Sequence, residues 1–492
     1  MTEFTHQNKI PKFLVIYADF NEFDRKKFQK LALSTYFNNK RNHKSLIIEI
    51  NKLIKKNQGS AGLKITDYLS EKTGLSKRAL WNRFSELTRI AEYFLIINEI
   101  ESDEITYKKL LLDSLRKRKL SSIIELQKVK ALTLAGNSKI DLNSYYNLHA
   151  IFENISNNYS EMNKFDESVK FYTLHSEYSV LQFLMLLFKQ ALELELQKIN
   201  NIVTDFPLAK EVLNNLNYIE LLNNIRPLYP KLIVPVEIYY CLYLSFKENQ
   251  NEKHYHQAKK IFLKNKELFA QAFKNDIYQA LRDYCIDKTN KGEGKFYKEI
   301  FDLNNRIMDE GLFKGHYVVN SRTNNFRNFI FAALRLEEYE WIRKFIDIYS
   351  KELPPDMRED EINLSTGILS LYEKKYEQAL GYLGKVRRKR YLQYLDTSVY
   401  KLIIFYETDD IEESYKESAR LKNYMLQHSD IPAYLKGSYK RFIKKFELLL
   451  KLKGEPERTD IEMFIDEMEK IKNIGLGRWL YDKGAELLRG KK

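Results

Sequence analysis

The residues best suited to catalysis or metal binding are eight histidines and two cysteines, and their spacing supports neither role. His254 and His256 are the nearest pair, but residues i and i+2 point to different sides of a helix. There is no HExxH and no Cys/His cluster of zinc-ligand spacing. Cys241 (YYCLYL) and Cys285 (DYCID) sit in apolar contexts and read as buried, reduced thiols, which suits a cytoplasmic protein. Gly292-Glu293-Gly294-Lys295 has the glycines of a phosphate loop, but Phe296 follows the lysine and no strand precedes it, so an inter-helix turn is expected. Gly475-Leu476-Gly477 likewise lacks a βαβ context. The carboxylate pairs Glu337-Glu338 and Asp409-Asp410 fall at helix starts, where they favour the helix dipole. The expectation is a non-enzymatic protein with no catalytic residue, no cofactor and no metal.

Two constellations carry binding chemistry instead. In Thr66 to Leu87, Ser70, Gly74, Leu75 and Leu80 occupy helix-turn-helix positions, which would turn Arg78, Asn82 and Arg83 toward a DNA major groove. Thr73 stands where an apolar residue is usual, Arg83 falls at a buried position, and the second helix runs on too far. A plain helical hairpin is expected, with a nucleic-acid-binding regulator as the alternative. An enzyme whose site is assembled from distant residues is a further alternative. The second constellation lies beside the central hairpins. Phe326, Ile330 and Ala333 form an inward stripe, leaving Asn324, Asn328 and Arg335 on the opposite side. Arg387, Arg388, Lys389 and Arg390 follow in succession, with no acid after them before Asp396. Both groups are candidates for binding a protein or peptide, an acidic one among the options. A solvated inter-helix corner would show the same basic run.

The elements that must position these residues are helical. Tyr376, Ala379 and Leu383 have the spacing of a tetratricopeptide-type second helix, and Tyr339, Ile342 and Ile346 repeat it 37 residues earlier. Gly367 stands where two helices would cross closely. Phe165-Ser168-Tyr172 and Tyr255-Ala258-Phe262 echo the same spacing. Such a hairpin cannot bury its apolar stripe alone, so stacked neighbours, an α-solenoid, are expected. Upstream, Phe23, Phe28 and Leu31 give one face; Leu46, Ile47, Ile50, Leu53 and Ile54 give another. Leu80, Phe84, Leu87, Ala91 and Phe94 predict one helix reaching about Asn98, with Ser76 as its N-cap. Trp479, Leu480, Leu487 and Leu488 predict a last capping helix.

Composition agrees with helices: Gly (17) and Pro (9) are scarce in 492 residues, and no proline lies between Pro11 and Pro207. The charge of +14 could serve an acidic partner, yet the basic residues are mostly interleaved with acidic ones. Compositional drift toward Lys, Asn, Ile and Tyr would produce the same excess. The run Phe13 to Ala18 is too short for a signal peptide, and Val180 to Phe188 is too short to span a bilayer, so no membrane insertion is expected.

The segments YFNNK near 36, RFSELTRIAEYFL near 83 and LLLDSLRKRKL near 110 resemble a family of uncharacterised bacterial helical-repeat proteins. DYCIDKTNKGEGKFYKEIFDL near 283 and EEYEWIRKFIDIYSKEL near 337 continue the resemblance, which covers about residues 23 to 450. It implies an all-α fold with an N-terminal helical region and a tetratricopeptide-like array, and it carries no functional residue with it. The expected division is an N-terminal helical subdomain over 1–140, a repeat array over 141–452, and an acidic segment with a capping helix over 453–492. The expected role is a scaffold or adaptor that binds another protein through a helical-repeat surface.

Overall fold

The computed structural model describes residues 10–37, 41–55, 62–137, 139–199, 206–314, 319–387, 390–454, 457–471 and 476–490. Among them are 24 α-helices and no β-strand; one isolated parallel bridge joins Ile140 to Phe269. The chain is all-α. It groups into two compact units, one of residues up to 137 with 143–179, the other of 139–142 with 180 onward. The break at Ala135-Gly136-Asn137 closes α7 (Ser121–Asn137), whereas the units change over inside α9 (Phe165–Ile199). No glycine or proline interrupts α9, so nothing ends the helix at that point.

The first unit opens with α1 (Lys12–Asp19), which apolar spacing did not announce as a helix. Phe13 and Tyr17 are fully buried on it, and their rings meet Phe28 of α2 (Glu22–Ala32) at 5.7 and 5.5 Å. Phe23, expected on the apolar face of α2, is instead 65% exposed beneath the Lys27 ammonium. Leu46, Ile47 and Ile50 of α3 (Lys44–Lys55) are buried, as their spacing requires. Then α4 (Gly62–Thr73) turns through Gly74, φ +68°, into α5 (Lys77–Ser102). Ser76 caps α5 by accepting the Ala79 N–H at 3.3 Å. Leu80, Phe84, Leu87, Ala91 and Phe94 are all buried on α5, so its length is set by a core stripe. Helices α6 (Glu104–Lys117), α7 and α8 (Ser144–Glu161) share a further core with Phe171 at the start of α9.

In the second unit, after α10 (Pro207–Asn215) and α11 (Tyr218–Ile225), helices pair consecutively: α12 (Val234–Lys247) with α13 (Glu252–Asn265), then α14 (Gln271–Asn290) with α15 (Phe296–Asp309). The pairing continues through α16 (Val319–Arg335) with α17 (Tyr339–Tyr349) and α18 (Pro355–Tyr372) with α19 (Tyr376–Lys385). It ends with α20 (Tyr391–Glu407) on α21 (Ile411–Gln427), and α22 (Ala433–Lys453) on α23 (Arg458–Glu469); α24 (Gly477–Arg489) packs on both α22 and α23. Ala379 and Leu383, Ile342 and Ile346, and Tyr255, Ala258 and Phe262 are buried as expected. The echo in α9 holds only for Ser168. Phe165 and Tyr172 are exposed there, and Phe171 takes the inward place.

One turn recurs between paired helices. Glu337, Lys374 and Asp409 each take a left-handed φ of 59–62°. The N–H of the residue after each reaches back five residues: Glu338 to Ala333 O at 3.0 Å, Lys375 to Ser370 O at 2.8 Å, Asp410 to Phe405 O at 2.8 Å. Lys119, Asn163 and Gly292 make the same closure, so GEGK is such a turn, and Lys295 pairs with Glu252 at 2.6 Å. Each closure satisfies a helix-end carbonyl through the backbone. A left-handed non-glycine residue costs ~1–2 kcal/mol, while glycine adds back ~0.5–1 kcal/mol of unfolded-chain entropy. Lys374→Gly is therefore expected to stabilise the protein slightly, by about 0.5 kcal/mol. A rise in the thermal midpoint checks this; a fall would contradict it.

Candidate peptide-binding cleft

Two adjoining cavities, of ≈ 240 and ≈ 360 Å³, lie in the second unit and share Arg335, Tyr372 and Leu476 in their linings. The smaller is built by side chains of five helices: Asn290 from α14, Tyr297 from α15, Asn328 and Arg335 from α16, Tyr372 from α18 and Tyr400 from α20. Phe326, Ile330 and Ala333 are buried to within 1% on α16, and this anchors the helix so that Asn328 is exposed on its other side. The Arg335 guanidinium lies over the Tyr297 ring at 5.6 Å. Burial pushes the Tyr372 phenol up and the Tyr400 phenol well up, so both remain protonated and able to donate.

The larger cavity has α24 as one wall. Trp479 Nε1 donates to Glu407 Oε1 at 2.7 Å, and Lys483 Nζ lies 2.9 Å from Glu407 Oε2. Burial acts to lower the Lys483 pKa, but the carboxylates of Glu486 and Glu407 outweigh it and raise it. Arg335, Lys374, Arg478 and Lys483 face Glu337, Glu407, Asp482 and Glu486 around this lining, so the wall is formally neutral.

Of the residues singled out from sequence, Asn328 and Arg335 meet in this cleft. The side chain of Asn324 and the residues Arg388 and Lys389 lie outside the described residues. Arg387 belongs to the framework. Its backbone N–H and its Nε both donate to Asp360 Oδ1 at 3.0 Å, and Nη2 donates to the Asp356 carbonyl at 3.2 Å. Asp360 is buried to 1%, so the neutralising acid is hidden 27 residues away in sequence. Arg390 is exposed at the start of α20. On α5, Arg78 and Asn82 are exposed, whereas Arg83 is half-buried and turned inward.

The cysteines are free and buried, and burial pushes both thiols up to about 12, so neither is a thiolate at neutral pH. Sequence reading missed one histidine contact: His149 and His175, 26 residues apart, bring their Nδ1 atoms to 3.3 Å in the first unit. Among the described residues no group of three or more His, Cys, Asp or Glu is placed to hold a metal ion. No described helix is long and apolar enough to cross a membrane.

What the fold and site define is an all-α protein with consecutive helical hairpins and a tyrosine-lined cleft among them. No family model, no curated protein and no solved structure matches the chain.

Proposed function

We propose that the protein is a non-enzymatic scaffold or adaptor of helical-repeat type, which binds an extended segment of another protein along the cleft. In this reading the hairpins from α12 to α23 form a tetratricopeptide-like solenoid with α24 as its cap, and the N-terminal helical region is a separate subdomain. The resemblance to bacterial helical-repeat proteins belongs to the same proposal. One observation carries it: helices from four successive hairpins, α15, α16, α18 and α20, converge tyrosines, Asn328 and Arg335 on one recess. Tyrosine hydroxyls and an arginine held over a ring recognise backbone and side-chain acceptors with few rotors to freeze. The neutral charge of the wall favours a partner segment of mixed charge over a purely acidic one.

Affinity purification of the tagged protein beside an Asn328→Ala/Arg335→Ala variant tests this. The variant is expected to keep its helical spectrum and lose the partner. An unchanged set of co-purifying proteins would overturn the assignment of the cleft.

A further inference from the structure

Toward the end of the second unit, charge is sorted between two neighbouring helices. Along α22 there are seven basic residues and one acid; along α23 there are five acids and one basic residue. Several other helices neutralise their exposed turns within four residues, as Lys26 does with Glu22, Lys117 with Asp113 and Lys298 with Asp302. Here like charges take that spacing instead: Lys440 and Lys444 on α22, Glu462 and Asp466 on α23. Such neighbours repel, so each helix carries a charge that its own turns do not offset.

Burial turns both charged faces outward. Ile443, Phe446 and Leu450 are buried on one side of α22, and Lys440, Arg441, Lys444, Leu448 and Lys451 are exposed on the other. Ile461, Phe464 and Met468 are buried on α23, and Asp460, Glu462, Met463 and Asp466 are exposed. Lys445, next to Lys444, pairs with Glu467, next to Asp466, so the two faces meet along one seam. None of Lys440, Arg441, Lys444, Lys451, Asp460 or Asp466 has an ion-pair partner among the described residues. An exposed apolar side chain stands at the middle of each face, Leu448 at 38% and Met463 at 70%. The faces also match in length, since Lys440 to Lys451 and Arg458 to Glu469 each rise ~16 Å along the helix axis.

We propose that these faces form a self-association surface, on which α22 of one copy packs against α23 of a second copy, and the reverse. A two-fold axis makes both contacts at once, because each copy carries both complements. Opposite charge brings the copies together, and Leu448 meets Met463 at the centre of each contact, where water is expelled. The patch is small, four helix faces in all, so the pair is reversible rather than obligate. No residue of it lines the peptide cleft, so the two surfaces can be tested separately.

Sedimentation velocity of the full-length chain tests it. Wild type is expected to dimerise at roughly 10–100 μM in low salt, with the dissociation constant rising about tenfold or more between about 50 and 500 mM NaCl. Arg441→Glu/Lys444→Glu/Lys451→Glu reverses the basic face, and Asp460→Lys/Glu462→Lys/Asp466→Lys reverses the acidic one. Each variant then carries two faces of like sign and should be monomeric, with circular dichroism checking that its helices are intact. Mixed, the two variants should pair, since each offers what the other lacks. A wild type that stays monomeric at about 100 μM, whether or not heparin binds its basic face, overturns the proposal. So does a dimer that either variant retains, or a mixture that stays monomeric.

Discussion

Arg327→Met is expected to be among the most destabilising single substitutions in the second unit. The Arg327 guanidinium makes a two-pronged contact with Glu361, Nε to Oε2 at 2.7 Å and Nη2 to Oε1 at 2.6 Å, and its Nη1 reaches Asp396 Oδ2 at 2.8 Å. Glu361 has no exposed surface, and Gln393 Nε2 donates to its Oε1 at 2.9 Å. Tyr439 completes the set by donating to Asp396 Oδ1 at 2.5 Å. Burial raises the Asp396 pKa, and Arg327 with the Tyr439 hydroxyl pulls it back. Removing the cation strands a buried carboxylate, which costs ~3–5 kcal/mol against a typical total of ~5–15 kcal/mol. The thermal midpoint should fall by about 10 °C. Arg327→Met/Glu361→Met, which removes both members of the buried pair, should recover much of that loss. A single mutant within about 1 kcal/mol of wild type would show that the network does not hold the helices.

The second large effect is steric. A Cβ added at Gly367 would lie 2.9 Å from Leu383 Cγ and Cδ2 and 3.4 Å from the Ala379 carbonyl oxygen. Both Gly367 and Leu383 are buried where α18 crosses α19, so the leucine has little room to move. Gly367→Ala is expected to cost ~1–3 kcal/mol by overpacking, and Leu383→Ala ~2–5 kcal/mol by leaving a cavity. Their effects should not add. In the double mutant the new methyl occupies part of the emptied space, so it should be more stable than the sum implies by at least ~1 kcal/mol. Strict additivity in thermal or urea denaturation would place the contact elsewhere.

Gly367 was readable in sequence because a small residue facing a helical stripe has few other uses. The stripe of α5 and the buried sets of α13, α17 and α19 were readable for a related reason: spacing within one helix fixes which side chains share a face. Asn328 and Arg335 followed from that logic on α16 alone. Their neighbours did not, since Tyr297, Tyr372 and Tyr400 come from three other helices and tyrosines are common throughout the chain. The same limit hid Asp360 from Arg387 and Glu361 from Arg327. Burial of a charge looked improbable at each position taken alone, and only the fold brings the compensating group within reach. Helix α1 went unannounced because an eight-residue run with two buried rings gives too short a period to register. In α9 Phe165 and Tyr172 turn outward while Ser168 and Phe171 face α8, so the inward face is offset from the spacing expected there.

The Arg327 network ties α16 to α18, α20 and α22, first helices of four consecutive hairpins, through side chains 34, 69 and 43 residues apart. A stack held only by nearest neighbours can fray one hairpin at a time from an end. Here, opening any one of the four uncovers a charge that the other three keep away from water. Local opening is thus discouraged across the whole stretch, and slow amide hydrogen exchange should report these four helices as a single cooperative foldon, with the turns between paired helices exchanging sooner.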